Sequence, residues 1–484
     1  MTRIDWALES CELLRRDPRV SDAVKAPHVA GLRDSLLVAA NPIWVASELR
    51  AAGETMRRTL RSWEAAYDIA YRKSDATPGP NFAGWNDSFT GEPIPLTEMS
   101  EWLRAITARV LSLPHDSVVE IGCGTGLIVQ AVAPHCRLYE ATDFSNVAVT
   151  GLQAWLATQP NLNHVKSFCQ AAHEVDYSKE EVDLIIINSV AQHFPDAAYL
   201  DSVITAAWKR LRKGGHIVLG DIRLLGAQKT FTYAEAFAKA PNEMRADELR
   251  QSVQALWLSQ TELLVNPAFF HRFAIKHGGT VRVQLKGGRG TCEMTRYRCD
   301  VTIGKPSRKV ERLRPTLLRD VGAVHEWISG GKKGVAQICG LTNSRVTSDL
   351  LTRQLIERAA DDVTVADLRT TVFKMITDVD PADHPAYFEE LALRNGLSCE
   401  IVASLDAPDC RFDVLIGETD GCMVPSQTPD SLQYTNSPLL MGILRRLSVD
   451  LHKSIAGRTP AGEMPTRILV DENIDDLQLV FKQL

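Results

Sequence analysis

Three glycines at alternate positions, Gly122, Gly124 and Gly126, follow the apolar run Val118-Val119-Glu120-Ile121. A strand that ends in such a turn keeps side chains out of the way, so a ligand can reach the backbone, and glycine takes left-handed turn conformations without penalty. Asp143 comes 17 residues after Gly126, at the end of a second stretch, Leu138-Tyr139-Glu140-Ala141-Thr142. Close backbone and a carboxylate at the end of the next strand are what holding a nucleoside requires, because the acid accepts from ribose hydroxyls. The spacing is G-x-G-x-G, not the G-x-G-x-x-G of dinucleotide binders, so there is no pyrophosphate to cradle. Taken alone, the glycines also fit a tight loop with no ligand. The preceding strand, the helical stretch 127–133 and the acid at its distance favour the binding turn.

A second group follows another apolar run, Val182-Asp183-Leu184-Ile185-Ile186-Ile187: Asn188, Ser189, Gln192 and His193. Of these only His193 has an ordinary pKa near neutrality; the alternative for it is packing against the next helix. Asp221 and Arg223 end the following strand, as substrate or lid anchors or as a structural ion pair. Glu262 and Glu293 stand amid apolar runs, as supports of a cap or as solvated surface.

The elements that must position these groups alternate from residue 117 onward: strand 118–121 then helix, strand 137–142 then helix 147–158, strand 164–169, strand 182–189, helix 197–211, a turn at Arg212-Lys213-Gly214-Gly215, and strand 216–221. Such alternation predicts an α/β fold with a doubly wound, mostly parallel sheet. Strands 280–284 and 295–303 complete it at seven as an antiparallel edge pair. Ahead of it, residues 55–72 read as a helix with Trp63, Tyr67 and Tyr71 on one face. A turn-rich stretch from Pro78-Gly79-Pro80 to Gly91 follows, then helix 97–111 with Thr97 as N-cap. The expected division is an N-terminal extension (1–54), a helical lid (55–115), a binding core (116–304) with cap helices at about 228–278, and a smaller C-terminal α/β domain (305–484). The last contains the runs 334–339, 369–373, 397–404 and 412–416, after a basic stretch at 308–319.

Composition narrows the class. Lys and Arg number 54 against 60 Asp and Glu, a net charge of −6 with no long run of one sign, which gives no nucleic-acid footprint. Ten cysteines without a C-x-x-C argue against a disulfide scaffold or zinc site and suit a reducing, cytoplasmic setting. The start lacks the apolar core of a signal peptide, and no apolar stretch is long enough to span a bilayer. No metal site and no membrane association are expected, and the oligomeric state is left open.

The form E-x-G-x-G-x-G resembles motif I of class I S-adenosylmethionine (SAM) methyltransferases, and Asp143 resembles their ribose-binding acid. The chain is further similar to the N-methyltransferase domains embedded in nonribosomal peptide synthetases. Trp63 with Tyr67-Asp68 and Tyr71 resembles W-x-x-x-Y-D-x-x-Y; the stretch from Phe82 through Ala83, Gly84, Trp85 and Asn86 to Gly91 resembles F-x-G-W-x-S-x-Y-T-G; Ile187-Asn188-Ser189-Val190-Ala191-Gln192-His193-Phe194-Pro195 resembles I-N-S-V-x-Q-Y-F-P; Leu219-Gly220-Asp221-Ile222-Arg223 resembles L-G-D-V-R; Glu293-Met294-Thr295-Arg296-Tyr297-Arg298-Cys299-Asp300-Val301 resembles N-E-L-x-R-Y-R-Y-D-V. Glu262-Leu263 with Pro267 and Phe269-Phe270 matches a further block. The likeness covers 60–303 and continues more weakly through Leu341-Thr342-Asn343-Ser344-Arg345-Val346 to Tyr434-Thr435-Asn436-Ser437-Pro438-Leu439. The flanks 14–24 and 444–470 resemble pieces of the small subdomain of adenylation domains, without its N-G-K segment. There is no adenylate-forming core and no carrier-protein G-x-x-S motif, which suggests a methyltransferase insert standing as its own protein.

The resemblance implies SAM as cofactor, held by Glu120, Gly122, Gly124, Gly126, Asp143, Phe144, Ser145, Ala171, Asn188, Ser189 and Tyr71. It implies His193, Asn188 and Asp221 for catalysis, and Trp85, Gln192, Arg223 and Glu262 for the acceptor. Aromatic faces at Tyr67, Tyr71 and Trp85 suit a sulfonium; core packing is their alternative. The family more often has tyrosine at the position of His193, and the acid-rich loop common for adenine is absent from Gln170-Ala171-Ala172-His173. The implied activity is N-methylation of an amino-acid or peptide-derived amine, as a free small molecule or tethered to a carrier protein, with a nonribosomal peptide synthetase as partner. The alternatives are O- or C-methylation of a free metabolite, or a silent docking module, against which the intact glycine turn and Asp143 argue.

Overall fold

Successive residues in the buried strands face opposite layers. Leu184 and Ile186 pack with Val118, Ile106 and Val132, whereas Ile185 and Ile187 pack with Val119, Ile204 and Ile217. A strand apolar on both faces needs cover on both, and that forces the helix–sheet–helix arrangement. In a computed structural model of the chain the described residues are 6–26, 35–73, 81–82, 84–177, 180–308, 315–331, 333–376, 383–405, 410–417, 434–456 and 467–471. The turn at Pro78-Gly79-Pro80, Ala83, and parts of the stretches 308–319 and 444–470 lie outside them.

The strands, in chain order, are β1 Val20–Lys25, β2 Ser35–Ala40, β3 Ser117–Ile121, β4 Leu138–Asp143, β5 Val165–Cys169, β6 Val182–Asn188, β7 Leu211–Arg223, β8 Thr280–Leu285, β9 Arg298–Gly304, β10 Thr316–Leu318, β11 Val335–Leu341, β12 Ser398–Ala403, β13 Phe412–Gly417 and β14 Arg467–Asp471. An 11-stranded sheet runs β10-β11-β13-β12-β8-β9-β7-β6-β3-β4-β5. Its last seven strands, β8 to β5 in that order, make the expected class I arrangement, with β7, β6, β3, β4 and β5 parallel and β9 antiparallel to both neighbours. The chain leaves β3 toward β4 on one side and returns to β6 on the other. The crevice at the carboxyl ends of β3 and β6 is therefore the switch point where ligands bind in such sheets.

Several local expectations are corrected. The antiparallel pair β8–β9 is internal, because β12 pairs with β8 through Val402 and Gln284. Residues 295–297, read as strand, finish the short helix Glu293–Tyr297. The turn at 212–215 is absorbed into β7, whose pairing with β6 slips between Val182 and Leu184. Helix Leu96–Leu111 starts one residue before Thr97; Pro95 is its N-cap and no side chain caps it. The run 369–373, grouped with the C-terminal strands, lies in helix Val365–Met375, whose start is set by a capping box between Thr364 and Asp367.

The segment 305–484 goes to two places. Strands β10 to β13 extend the central sheet, while β14 and helix Pro438–Ala456 join the N-terminal flank. There β1 pairs antiparallel with β2, and β2 pairs in parallel with β14, so residues 35–39 meet residues 467–471. Among the described residues no helix is long and apolar enough to cross a membrane.

Candidate SAM-binding site

The strand β3 must turn sharply to enter helix Leu127–Val132, and the three glycines do this with φ of 76°, 51° and 92°. A Cβ at Gly122 would collide with Val190, and one at Gly124 would sit 3.2 Å from the Tyr71 hydroxyl. These two positions admit nothing larger without closing the space beside them. Gly126 serves packing instead, since a Cβ there would meet Leu152 of the next helix at 2.6 Å.

Beyond this turn lies a cavity of about 280 Å³. Of the residues expected at the site, Glu120, Gly122, Gly124, Asp143, Phe144, Ala171, Asn188, Ser189, Tyr71, His193, Trp85, Gln192 and Glu262 line it; Gly126, Ser145, Asp221 and Arg223 do not. Ser145 caps helix Asn146–Leu156 through the Ala148 N–H and donates its hydroxyl to Asp68 at 2.5 Å. Arg223 stands behind Glu262, to which it is paired, with its guanidinium 4.6 Å from the Phe231 ring centre.

Asp143 ends β4 with its oxygens accepting from the Gly124 N–H at 2.9 Å and the Ser145 N–H at 2.8 Å. Each carboxylate oxygen keeps a further lone pair. Burial pushes its pKa up to about 6, against the pull of these N–H groups. Glu120 lies deeper, takes the Tyr139 hydroxyl at 2.6 Å, and burial pushes it up to about 7. Holding Asp143 ionised before a ligand arrives costs on the order of 3 kcal/mol at neutral pH. Hydroxyl donors to the carboxylate offset that cost.

Helix Ala52–Lys73 covers the cavity: Leu60, Tyr67 and Tyr71 line it, and Trp63 stands with its ring centre 4.3 Å from that of His193. Burial raises Tyr67 to about 12 and Tyr71 well above its ordinary range, so both are neutral hydroxyl groups.

Past β6 the chain tightens into the turn Ala191–His193. The Gln192 amide donates to the Ser189 carbonyl at 3.0 Å, and His193 Nε2 shares a 2.7 Å hydrogen bond with the Tyr67 hydroxyl. Three buried atoms here have no hydrogen-bond partner among the described residues: Asn188 Oδ1, Gln192 Oε1 and His193 Nδ1. Buried polar atoms usually meet protein or ordered water, and these three stand at the cavity wall. The expectation that His193 titrates near neutrality is not met. Burial, helped by Arg298 and Arg223, pulls it down to about 3 and leaves the ring neutral.

Arg298 and Trp102 also line the cavity, and sequence reasoning assigned neither a role. Arg298 opens β9 and pairs with Glu293 at 2.9 Å. It sits in the quoted block Arg296-Tyr297-Arg298, the one signal that marked it. Trp102, one more apolar residue on the buried face of an amphipathic helix, carried none.

The residues fit SAM: a glycine turn that excludes side chains, a carboxylate with spare lone pairs, a neutral aromatic cover, and orphaned acceptors beyond. Residues 119–217 match the family profile described as a methyltransferase domain. Over 305 residues the chain is 34% identical to a probable non-canonical nonribosomal peptide synthetase, CymA of Salinispora arenicola, covering 62% of this chain and 4% of that one. Over 249 residues it is 35% identical to the chondramide synthase cmdD of Chondromyces crocatus, covering 50% of this chain and 6% of that one. The chain thus spans only a small part of these relatives' length. The N-methyltransferase NodS of Bradyrhizobium japonicum aligns at 16% identity over 50% of this chain and 98% of that one, with a TM-score of 0.33, too low to carry an argument. Residues 119–217 thus carry a methyltransferase domain, set in a cavity whose residues fit S-adenosylmethionine, and the relatives it matches in sequence are nonribosomal peptide synthetases.

Proposed function

We propose that the chain N-methylates an amino-acid or peptide-derived amine, free or tethered to a carrier protein. The observation that carries this reading is the chemistry of the cavity wall away from the glycine turn. Asn188 Oδ1 and Gln192 Oε1 are buried acceptors without partners among the described residues, and Glu262 and Glu293 line the same space. Acceptors and carboxylates suit a nucleophile that bears N–H groups and becomes a cation as it reacts. The kinship with nonribosomal peptide synthetases supports an aminoacyl or peptidyl acceptor.

SAM supplies an electrophilic methyl group on a sulfonium. In this reading Asp143 accepts the ribose hydroxyls, the turn from Gly122 to Gly126 lets the cofactor lie against backbone, and Tyr71 covers it. Trp85, Gln192 and Glu262 hold the acceptor so that its nitrogen lines up with the methyl group, and this alignment supplies much of the rate. Glu293, kept ionised despite burial by Arg298 and the Ser88 N–H, stabilises positive charge forming on that nitrogen. A histidine lowered to about 3 is a poor base for an ammonium. The amine therefore sheds its proton before it binds, and His193 acts as a neutral wall and hydrogen-bond partner.

Incubation with isotope-labelled SAM and a panel of amino acids and short peptides, free and carrier-tethered, tests this by mass spectrometry. The expected product carries the label on nitrogen. Label on oxygen or carbon of a free metabolite overturns the proposal and leaves the methyltransferase domain in place.

A further inference from the structure

Ser189 and Asp221 are two of only three non-glycine residues with positive φ among the described residues, at 57° and 62°. Such backbone costs roughly 1–3 kcal/mol each and persists only where its surroundings hold it. Ser189 faces the cavity; Asp221 is fully buried behind it. The Asp221 carboxylate accepts from the Ser189 hydroxyl and from Trp102 Nε1, 2.9 and 3.1 Å from its two oxygens. Trp102 itself walls the cavity and packs on Trp85, ring centres 4.8 Å apart. One buried carboxylate thus fixes two cavity-wall groups.

A carboxylate this deep persists only if it is paired. Its partner is Lys286, in the loop that leaves β8. The ammonium lies against both Asp221 and Asp300, the latter at 2.5 Å. Asp300, on β9, also accepts the Asp221 backbone N–H at 3.1 Å, and Arg109 of helix Leu96–Leu111 stands 3.5 Å from its other oxygen. Two acids and two bases balance inside the sheet. Burial alone would raise Asp221, but Lys286 and Arg298 hold it below its usual range; burial alone would lower Lys286, but the two acids hold it above. The loop bearing Lys286 is gripped from the C-terminal segment. Arg345, itself buried, donates to the Lys286 carbonyl at 2.7 Å and to the Gly288 carbonyl at 2.6 Å.

We propose that Lys286 is a positioning residue for methyl transfer. It keeps Asp221 ionised and in place, Asp221 sets Ser189 and Trp102 against the acceptor side of the cavity, and Arg345 holds Lys286 in register. The proposal rests on the methyl-transfer reading of the site and not on which atom accepts. It assigns the segment beyond β9 a physical link to the site, since every group of the glycine turn lies before it.

Lys286→Gln, Lys286→Arg and Arg345→Gln test it. Lys286→Gln is expected to lower kcat by tenfold or more, with KM for the acceptor within about threefold and SAM affinity, by calorimetry, likewise unchanged. Lys286→Arg restores most of kcat by keeping the charge. A second readout needs no turnover. Without Lys286 the buried Asp221 carboxyl moves above its unfolded value, so its stability contribution is present at low pH and lost as pH rises. The unfolding temperature of cofactor-free Lys286→Gln should therefore fall further below the parent's at pH 8 than at pH 5, with Asp300, Arg298 and Arg109 the other charges facing the pair. If Lys286→Gln does not fold, Arg345→Gln decides, with a several-fold loss of kcat at unchanged SAM affinity. Undiminished kcat in both glutamine variants, or a kcat loss in Lys286→Gln that Lys286→Arg does not restore, overturns the positioning role. A parent that transfers no methyl group to any acceptor breaks the functional reading, and leaves the pH-dependent stability test standing.

Discussion

Two β-sheets in this molecule are built on opposite terms. The small sheet of β1, β2 and β14 is an apolar assembly: β2 is buried along its whole length, and Leu14, Val45, Leu444, Leu447, Leu451 and Ile455 pack over it. The carboxyl end of the central sheet instead buries Glu120, Asp143, Asn188, Gln192 and Asp221, with strained backbone at two residues. The first arrangement holds the two ends of the chain together by area removed from water. The second leaves polar atoms unpaired and carboxyl groups out of their ordinary pKa range, and that free energy is recovered when a ligand supplies the missing partners. Changes in the first should therefore move stability and spare binding. Changes at the groups of the second that face the cofactor should do the reverse.

The largest effect separates the two at once. Gly124→Val puts a branched side chain into left-handed backbone facing the Tyr71 hydroxyl. SAM binding should fall below detection in calorimetry while circular dichroism stays close to the parent's. A variant that still binds tightly would mean the turn only packs. The counterpart lies in the small sheet: Leu451→Ala, at a fully buried site, should cost about 2–5 kcal/mol of stability. Its SAM affinity at a temperature where it remains folded should match the parent's. A large affinity loss would show that the flank sheet reaches the site.

Asp143→Ala comes next. Loss of a charge-assisted acceptor for two hydroxyls should weaken SAM binding by about 2–4 kcal/mol. The unfolding temperature should hold or rise at neutral pH, since burial makes the ionised carboxyl a cost there. Unchanged affinity would remove Asp143 from the site. A gentler probe uses pH alone. The carboxyl sits at about 6 in the free protein and must be ionised to accept strongly. Affinity should rise with pH up to about 6, by at most tenfold per unit, then level off, with proton release on binding below that value. A flat profile from pH 5 to 8 would contradict the assignment.

The two sheets also differ in how much of them was legible in the sequence. The glycine turn, β3, β4 and Asp143 lie within one βαβ unit, where strand, turn and acid are spaced by local geometry. The unbroken burial of β6 on both faces was equally local. The helix Val365–Met375 carries a local signal too, Thr364 and Asp367 in a capping box, but its apolar residues resemble a strand run and hide it. What stayed hidden otherwise is non-local. Trp102 meets Asp221, Lys286 meets Asp300 and Arg345 meets the Lys286 carbonyl, pairs set by the closed sheet and not by spacing along the chain. The pairing of residues 35–39 with 467–471 is the extreme case. The pKa of His193 was hidden for the same reason, because Trp63 and Tyr67, which bury it, arrive from a helix far earlier in the chain.

That histidine gives the smallest expected effect and the finest cut. A ring lowered to about 3 is neutral at every pH where the enzyme is assayed. The parent's turnover should show no inflection near the ordinary histidine value of about 6.5. If the acceptor is the proposed amine, turnover should instead rise toward that amine's higher pKa, because only its uncharged form can attack. His193→Phe keeps an aromatic ring against Trp63 and Tyr67 and gives up only the hydrogen bond to the Tyr67 hydroxyl. Its kcat should drop a few-fold, its SAM affinity should stay within about threefold, and the shape of its pH–rate curve should match the parent's. An inflection near 6.5 in the parent that vanishes in His193→Phe would make His193 the base after all. It would also show that the bound acceptor raises the histidine's proton affinity far above that of the buried ring, which only charge placed beside it by the substrate could do.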